Sequence, residues 1–287
     1  MALAAGLIPA QGFAQQAPYL KGQGPWYENA TGISGLWNQT EYRSSGDFSP
    51  RERTIRDVNG NPPPMLPETA KVLEQRLVDA EHNKPYANTA SVCLPQGVPY
   101  MLHAAVGGPL QILETPGQVT FINDAYNEMW FVYLDQKHPP LDDIEPNYHG
   151  DSVGHWEGDT LVIDTYGLTT RTTLDQVGTP HSDKLHVITK VTRSGPDTIQ
   201  FRITIDDPGA FSRTWEEKTL IYKRANKDAR ISEVVCENNR NVVLPDGHQS
   251  LSFSESPFRA TDPVPLPKKP TPAKKPAAAP AKVPAKK

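Results

Sequence analysis

The sequence predicts a mainly β protein: an antiparallel β-barrel or sandwich with a short N-terminal helical extension and a disordered C-terminal tail. Three observations carry this. Between residues 110 and 237 short apolar runs follow one another, separated by Gly, Pro, Asp and Asn clusters. No helical pattern intervenes, so successive strands must join by tight turns, as in sandwiches and barrels. Residues 263–287 are so rich in Pro, Lys and Ala that they cannot bury a core.

Bulk composition bounds the answer further. The 287 residues suit one large β domain with extensions, and the hydrophobic share of 37% with 29 prolines leaves room for irregular segments. The formal net charge is −4, but seven lysines lie after Asp262, so the rest of the chain carries −11. An acidic body argues against nucleic acid as the main partner. No run approaches the length of a membrane-spanning helix. Residues 1–14 read as the remnant of a signal peptide: Leu3 to Ile8 is apolar, and the small Gly12 and Ala14 precede Gln15 and Gln16. A basic leader region is missing. Export to the periplasm or beyond is therefore expected. In that setting Cys93 and Cys236 form one candidate disulfide, worth about 4–5 kcal/mol in the chain-entropy model. Two buried thiols are the other reading.

Residues 15–91 form an N-terminal extension with a first strand at 33–38 and one helix. The helix, Pro67 to Ala80, has Pro near its start, Glu68 in its first turn, and Leu73, Leu77 and Ala80 at helical spacing. The β domain proper, 92–240, is completed by strand 33–38. Its candidate strands are 110–115, 118–123, 128–134, 152–156, 159–165, 184–193, 198–206, 214–223 and 230–237.

One hairpin can be read residue by residue. Ile199, Phe201, Ile203 and Ile205 alternate with polar residues, giving a strand with one wet face. Pairing Arg193 with Thr198 across the turn sets Lys190 opposite Phe201 and His186 opposite Ile205. Opposed residues share a face, so His186 and Lys190 would then enter the apolar interior as a perturbed pair. A one-residue slip would place Val187, Thr189 and Val191 there instead.

Residues 147–186 concentrate histidine: His149, His155, His181 and His186, with Tyr148, Asp151, Trp156 and Asp183 among them. The stretches Gly154 to Thr165, Pro180 to His186 and Thr204 to Phe211 resemble the GHWEGDTLVIDT, PHSxxLH and TIDDPGAF signature of an uncharacterised family of exported bacterial β-rich proteins. Cys93 to Pro99, Tyr133 to Asp135, Ser34 to Trp37 and Cys236 to Asn239 also look familial, so the resemblance spans most of 33–240. It implies fold and boundaries, not an activity. Lys190 stands where the family often carries Arg, which implies a charge or anion-binding role there. Gly35-Leu36-Trp37 on the first strand is similar to the Gly-x-Trp of lipocalin-like (calycin) barrels and implies a barrel with an internal cavity.

Four functions fit these residues. The first is metal-free acid/base catalysis of lyase or isomerase type on a cyclic or aromatic molecule. His186 and His181 would exchange protons, Asp151 would orient them, and Tyr148, His149, His155, Trp156 and Lys190 would line the substrate site. The second is a metal site built from the same histidines and carboxylates, although no HExxH or cysteine-pair spacing is present and no cofactor is otherwise expected. The third is a non-catalytic periplasmic small-molecule carrier. The fourth is an envelope protein whose Lys-rich tail contacts an anionic surface. Gly150-Asp151-Ser152-Val153-Gly154 has the G-x-S-x-G form but lacks the strand-to-helix elbow that motif needs, and no nucleotide-binding glycine loop is present. The first reading is preferred, with the carrier as its alternative.

Overall fold

Short strands build this protein, and the alternating burial along three of them, Glu128–Leu134, His186–Gly195 and Thr198–Asp206, shows which side of each is inside. The computed structural model describes residues 32–40, 49–103, 109–124, 128–232, 241–243 and 245–251. The expected signal peptide remnant at 1–14, the tail at 263–287, Cys236 and most of the strand expected at 230–237 lie outside them. The strands are β1 (Gly35–Gln39), β2 (Leu110–Thr115), β3 (Gln118–Asn123), β4 (Glu128–Leu134), β5 (Asp151–Glu157), β6 (Thr160–Tyr166), β7 (His186–Gly195), β8 (Thr198–Asp206), β9 (Trp215–Glu216) and β10 (Leu220–Arg224). A separate hairpin joins β11 (Asn241–Val243) to β12 (Gln249–Leu251). The helix α1 runs from Pro67 to Glu81.

Nine of these strands close into a barrel in the order β1 to β8, then β10, which pairs with both β8 and β1. Short β9 is an appendage on the end of β8. Every neighbouring pair is antiparallel except β4 and β5, which run parallel at Tyr133–Val153 and Leu134–Gly154. A parallel step needs a crossover, and residues 135–150 supply it. The strand expected at 214–223 is broken in two, because Glu217 to Thr219 leave the sheet between β9 and β10.

The β7–β8 hairpin adopts the slipped register. Val187 faces Ile205, Thr189 faces Ile203 and Val191 faces Phe201, while Ser194 is a surplus residue bulged between Arg193 and Gly195. The direct register, with His186 and Lys190 on the inner face, is therefore overturned. Apolar burial decides it: a fully buried Val or Ile gains about 1.5–3 kcal/mol, whereas burying an amine or imidazole without a partner costs free energy.

The inner face is filled by large side chains. Trp37, Phe121, Trp130, Phe201 and Tyr222 are all 0–1% exposed, with Ile112, Leu161, Ile163, Val187 and Ile205 packed among them. Phe121 stacks on Trp130 at 4.7 Å and meets Phe201 edge-on at 6.2 Å. Three of the ring heads inside find partners: Trp130 Nε1 donates to Ser152 Oγ (2.8 Å), Trp37 Nε1 to the Ile33 carbonyl (2.8 Å), and the Tyr222 hydroxyl to the Leu102 carbonyl. The internal cavity implied by the lipocalin-like Gly-x-Trp is thus occupied by aromatic rings. The Arg224 guanidinium of the closing strand lies over the Trp37 ring at 4.4 Å, so the seam between β1 and β10 is sealed by a cation–π contact.

Phe121 touches both Trp130 and Phe201, so Phe121→Ala is expected to lower stability by about 3–5 kcal/mol. Urea unfolding monitored by tryptophan fluorescence would measure it. A loss below about 1 kcal/mol would contradict a rigidly packed axis.

Candidate functional site

One end of the barrel is built over by chain. There β1, β3, β6 and β8 end while β2, β4, β5, β7 and β10 begin. Residues 49–103 reach this end and pair locally with the segment around β9. Asp57 bridges Glu217, Val58 N–H donates to the Glu216 carbonyl (2.9 Å), and Lys218 N–H donates to the Arg56 carbonyl (2.9 Å). Arg51 anchors the preceding 3-10 turn, Pro50–Arg53, to α1 through Glu74 and Glu81, both at 2.7 Å.

A buried carboxylate fixes the facing loop. Asp175, 2% exposed, accepts from the backbone N–H of Val177, Gly178 and Thr179 with one oxygen. Its other oxygen accepts from Ile55 N–H (2.9 Å) and the Thr179 hydroxyl. With five donors on it, Asp175 is a structural pin joining residue 55 to the 172–179 loop. It has no lone pair to spare for a ligand.

Between these segments lies a cleft of about 120 Å³, open to solvent, with an apolar wall of Ile55, Tyr100 and Leu220. Its polar side holds Gln39, Arg53, His103 and Glu217. His103 Nε2 lies 2.6 Å from Glu217 Oε1, with side-chain exposures of 16% and 5%. Burial pushes His103 down, but the Glu217 carboxylate, helped by Asp175 and the Leu174 backbone, outweighs it and raises His103 above its ordinary value of 6.5. The Glu217 carboxyl thus favours the charged form of His103. Gln39 Oε1, Arg53 Nε and Glu217 Oε2 are buried and have no hydrogen-bond partner among the described residues. Buried polar atoms are normally paired, so these orphans, gathered on one open cleft, make it the candidate site.

The residues expected from the sequence fall in several places. His186 and Asp151 do meet, on the outer wall of the barrel, through His138 and Asp164. His186 Nε2 is bonded to Asp164 Oδ1, His138 Nδ1 to Asp151 Oδ1, and His138 Nε2 lies 3.9 Å from Asp164 Oδ2. Tyr166 stacks on His186 at 3.9 Å and meets His138 edge-on at 5.2 Å. Burial would raise Asp164, but the His186 hydrogen bond and the charges of His186, His138 and His155 hold it below the usual carboxylate range. Because His138 belongs to the 135–150 crossover, this network straps the crossover to β5, β6 and β7. Among the described residues no hydrogen bond, ion pair or ring contact joins His181 to His186. His181 is buried, with Nε2 2.8 Å from Thr172 Oγ1 and Nδ1 2.8 Å from the Ser182 carbonyl, and burial favours its neutral form.

His149 Nε2 lies 2.8 Å from Glu128 Oε1, which also accepts from Gly97 N–H (2.8 Å). Gly97 has φ +77, and a Cβ there would strike the Tyr148 carbonyl, so this corner joins the Cys93–Pro99 segment to the barrel. The Tyr148 ring has Arg171 at 5.7 Å. His155 is 56% exposed and 3.2 Å from Glu157. Trp156 packs partly buried against the core. Lys190 sits on the outer face opposite Val162 and Arg202, not in the interior. Among the described residues no group of three or more His, Cys, Asp or Glu has the arrangement of a metal site.

The cleft residues Gln39, Arg53, His103 and Glu217 were not singled out from the sequence. They come from four separated segments, and nothing in the sequence pattern joins them. No protein-family model matches the chain, and comparison with curated proteins gives no match.

Asp175→Ala is expected to destabilise the protein by roughly 3 kcal/mol or more, since each buried donor it orphans costs about 1–3 kcal/mol. Chemical denaturation would measure this. For His103, whose folded pKa is raised, the stabilisation is present in full below its ordinary 6.5 and is lost as pH rises through the raised value. The unfolding midpoint of wild type should therefore fall from mildly acidic to mildly alkaline pH by more than that of His103→Gln. Equal pH profiles would contradict the ion pair.

Proposed function

We propose that this is an exported small-molecule enzyme of lyase or isomerase type, working by histidine acid/base chemistry on a small cyclic substrate at the end of the barrel. The observation that carries the reading is the cleft in which the His103–Glu217 pair is flanked by buried polar atoms lacking protein partners. The acid/base role moves from His186 and His181 to His103. His186 is engaged in a strap on the outer wall and His181 in the backbone of its own loop.

The chemistry follows from the pair. Glu217 Oε2 has no donor, so it is the group free to take a proton from a substrate carbon. The His103 imidazolium is the group able to give one, to a departing hydroxyl or a carbonyl oxygen. In an elimination the C–H electrons form the new double bond, the C–O bond breaks, and the hydroxyl leaves as water with the His103 proton. The proton now on Glu217 returns to His103 across their 2.6 Å contact. The ring of Tyr100 with Ile55 and Leu220 supplies an apolar wall for the substrate body.

Export rests on the Leu3-to-Ala14 pattern. It is supported by Cys93, which is disulfide-bonded; in a chain of two cysteines this favours a bridge to Cys236. The seven tail lysines would then meet an anionic envelope surface.

Solvent exchange tests the function. The protein is incubated in deuterium oxide with a panel of cyclic and aromatic hydroxy and carbonyl compounds, and label uptake or conversion is followed by mass spectrometry. Wild type is expected to label or convert at least one compound, His103→Gln to lose about 10²–10⁴-fold of that rate, and His186→Gln to keep it. Binding without exchange or conversion would favour the carrier instead. Wild-type rates in His103→Gln would remove the proposal.

A further inference from the structure

The orphan atoms of the cleft also describe what fits them. Among its acidic residues each is already engaged. Asp175 is saturated by five donors, Glu217 faces His103, and Glu52 accepts from the Ser49 N–H at 2.8 Å. Two lining guanidinium groups are not offset in this way. Arg56 donates to the Arg51 carbonyl at 2.9 Å and makes no ion pair among the described residues. Arg53 makes neither an ion pair nor a hydrogen bond among them, and its Nε is buried. A half-buried cation without an anion is a costly arrangement unless the anion arrives with a ligand.

The other two orphans have the opposite demand. Gln39 Oε1 and Glu217 Oε2 are acceptors and need donors. A molecule that suits all three atoms accepts from a guanidinium at one point, donates a hydrogen bond to Gln39 at another and gives up its C–H proton to Glu217 at the third. The planar two-donor edge of a guanidinium matches a carboxylate. Hydroxyl groups are the simplest donors beside it.

Resting on the acid/base reading above, we infer that the cleft takes a small hydroxylated carboxylic acid, its carboxylate on Arg53, a hydroxyl on Gln39 and the C–H beside the carboxylate facing Glu217. Arg56 adds long-range attraction for the same anion. A carboxylate beside the reacting carbon also acidifies the C–H bond that Glu217 would break, so the clamp and the chemistry act on one end of the molecule.

Calorimetric titration with quinate, mandelate and gluconate, set against the neutral methyl quinate and myo-inositol, tests this on the intact protein. Histidine ring resonances are recorded in the same samples, with the His103 signal assigned by its loss in His103→Gln. At least one of the acids is expected to bind and to move the His103 resonance. A neutral counterpart, and the same acid on Arg53→Gln, should bind about tenfold more weakly or worse, the loss of one charge-assisted contact. Arg53→Lys should recover part of it. Neutral compounds that bind as tightly as the acids and move His103 would overturn the carboxylate assignment while leaving the acid/base site standing. If no compound moves the His103 resonance, both fall.

Discussion

The filled axis of the barrel is the constraint from which the rest follows. Closure by β10 against both β8 and β1 leaves a ring of nine strands whose inner faces meet, and rings such as Phe121, Trp130 and Phe201 occupy the space between them. Interiors packed at this density admit no ligand without a large loss of contacts. The open cleft with its polar lining therefore lies at the end of the barrel. There the chain between β1 and β2 and the loops after β6 and β8 can approach without entering the core.

Those added segments are held mostly by carboxylates whose oxygens collect backbone N–H groups. Asp175 gathers three consecutive N–H donors and residue 55, and Asp207 holds the Ser182 N–H (2.7 Å) and the Gly209 N–H (3.0 Å). Glu128 binds Gly97 and His149. Such groups look like site residues by type and burial, yet Asp175 and Asp207 spend their oxygens on their own turns. Glu128 and Glu217 share another pattern: one oxygen faces an imidazole and the other has no hydrogen-bond partner among the described residues. Place separates these two, since Glu128 ties Gly97 and His149 to the barrel while Glu217 lines the open cleft.

The sequence made the strands legible because each is a short β-prone run bounded by turn residues, and β8 also alternates apolar and polar residues along its length. The bounds read for β2, β3, β4 and β8 coincide with those observed, and the helix at 67–80 extends by one residue to Glu81. Two things were not legible. One was the bulge at Ser194, since a backbone irregularity leaves no mark in hydropathy and the two registers differ only in how the turn is counted. The other was the cleft. Histidine density drew attention to residues 149–186, but most of those side chains serve local joints, such as the His149–Glu128 contact and the His138–Asp151 bond of the strap. The cleft draws on residues 39, 53, 103 and 217, whose proximity exists only after the barrel has closed and residues 55–58 have paired beside β9.

The surplus residue at Ser194 has a consequence on an evolutionary scale. Strand β7 lies between β6 and β8 and shares register with both. Losing Ser194 itself would only remove the bulge, leaving Arg193 opposite Ile199 and Gly195 opposite Thr198. Losing a paired residue such as Thr189 would instead turn every position before it to the other face, Val187 outward and His186 inward, and no single substitution could reverse that. In descendants of this chain the turn can shed its surplus residue, but the length of the strand before it is inherited whole.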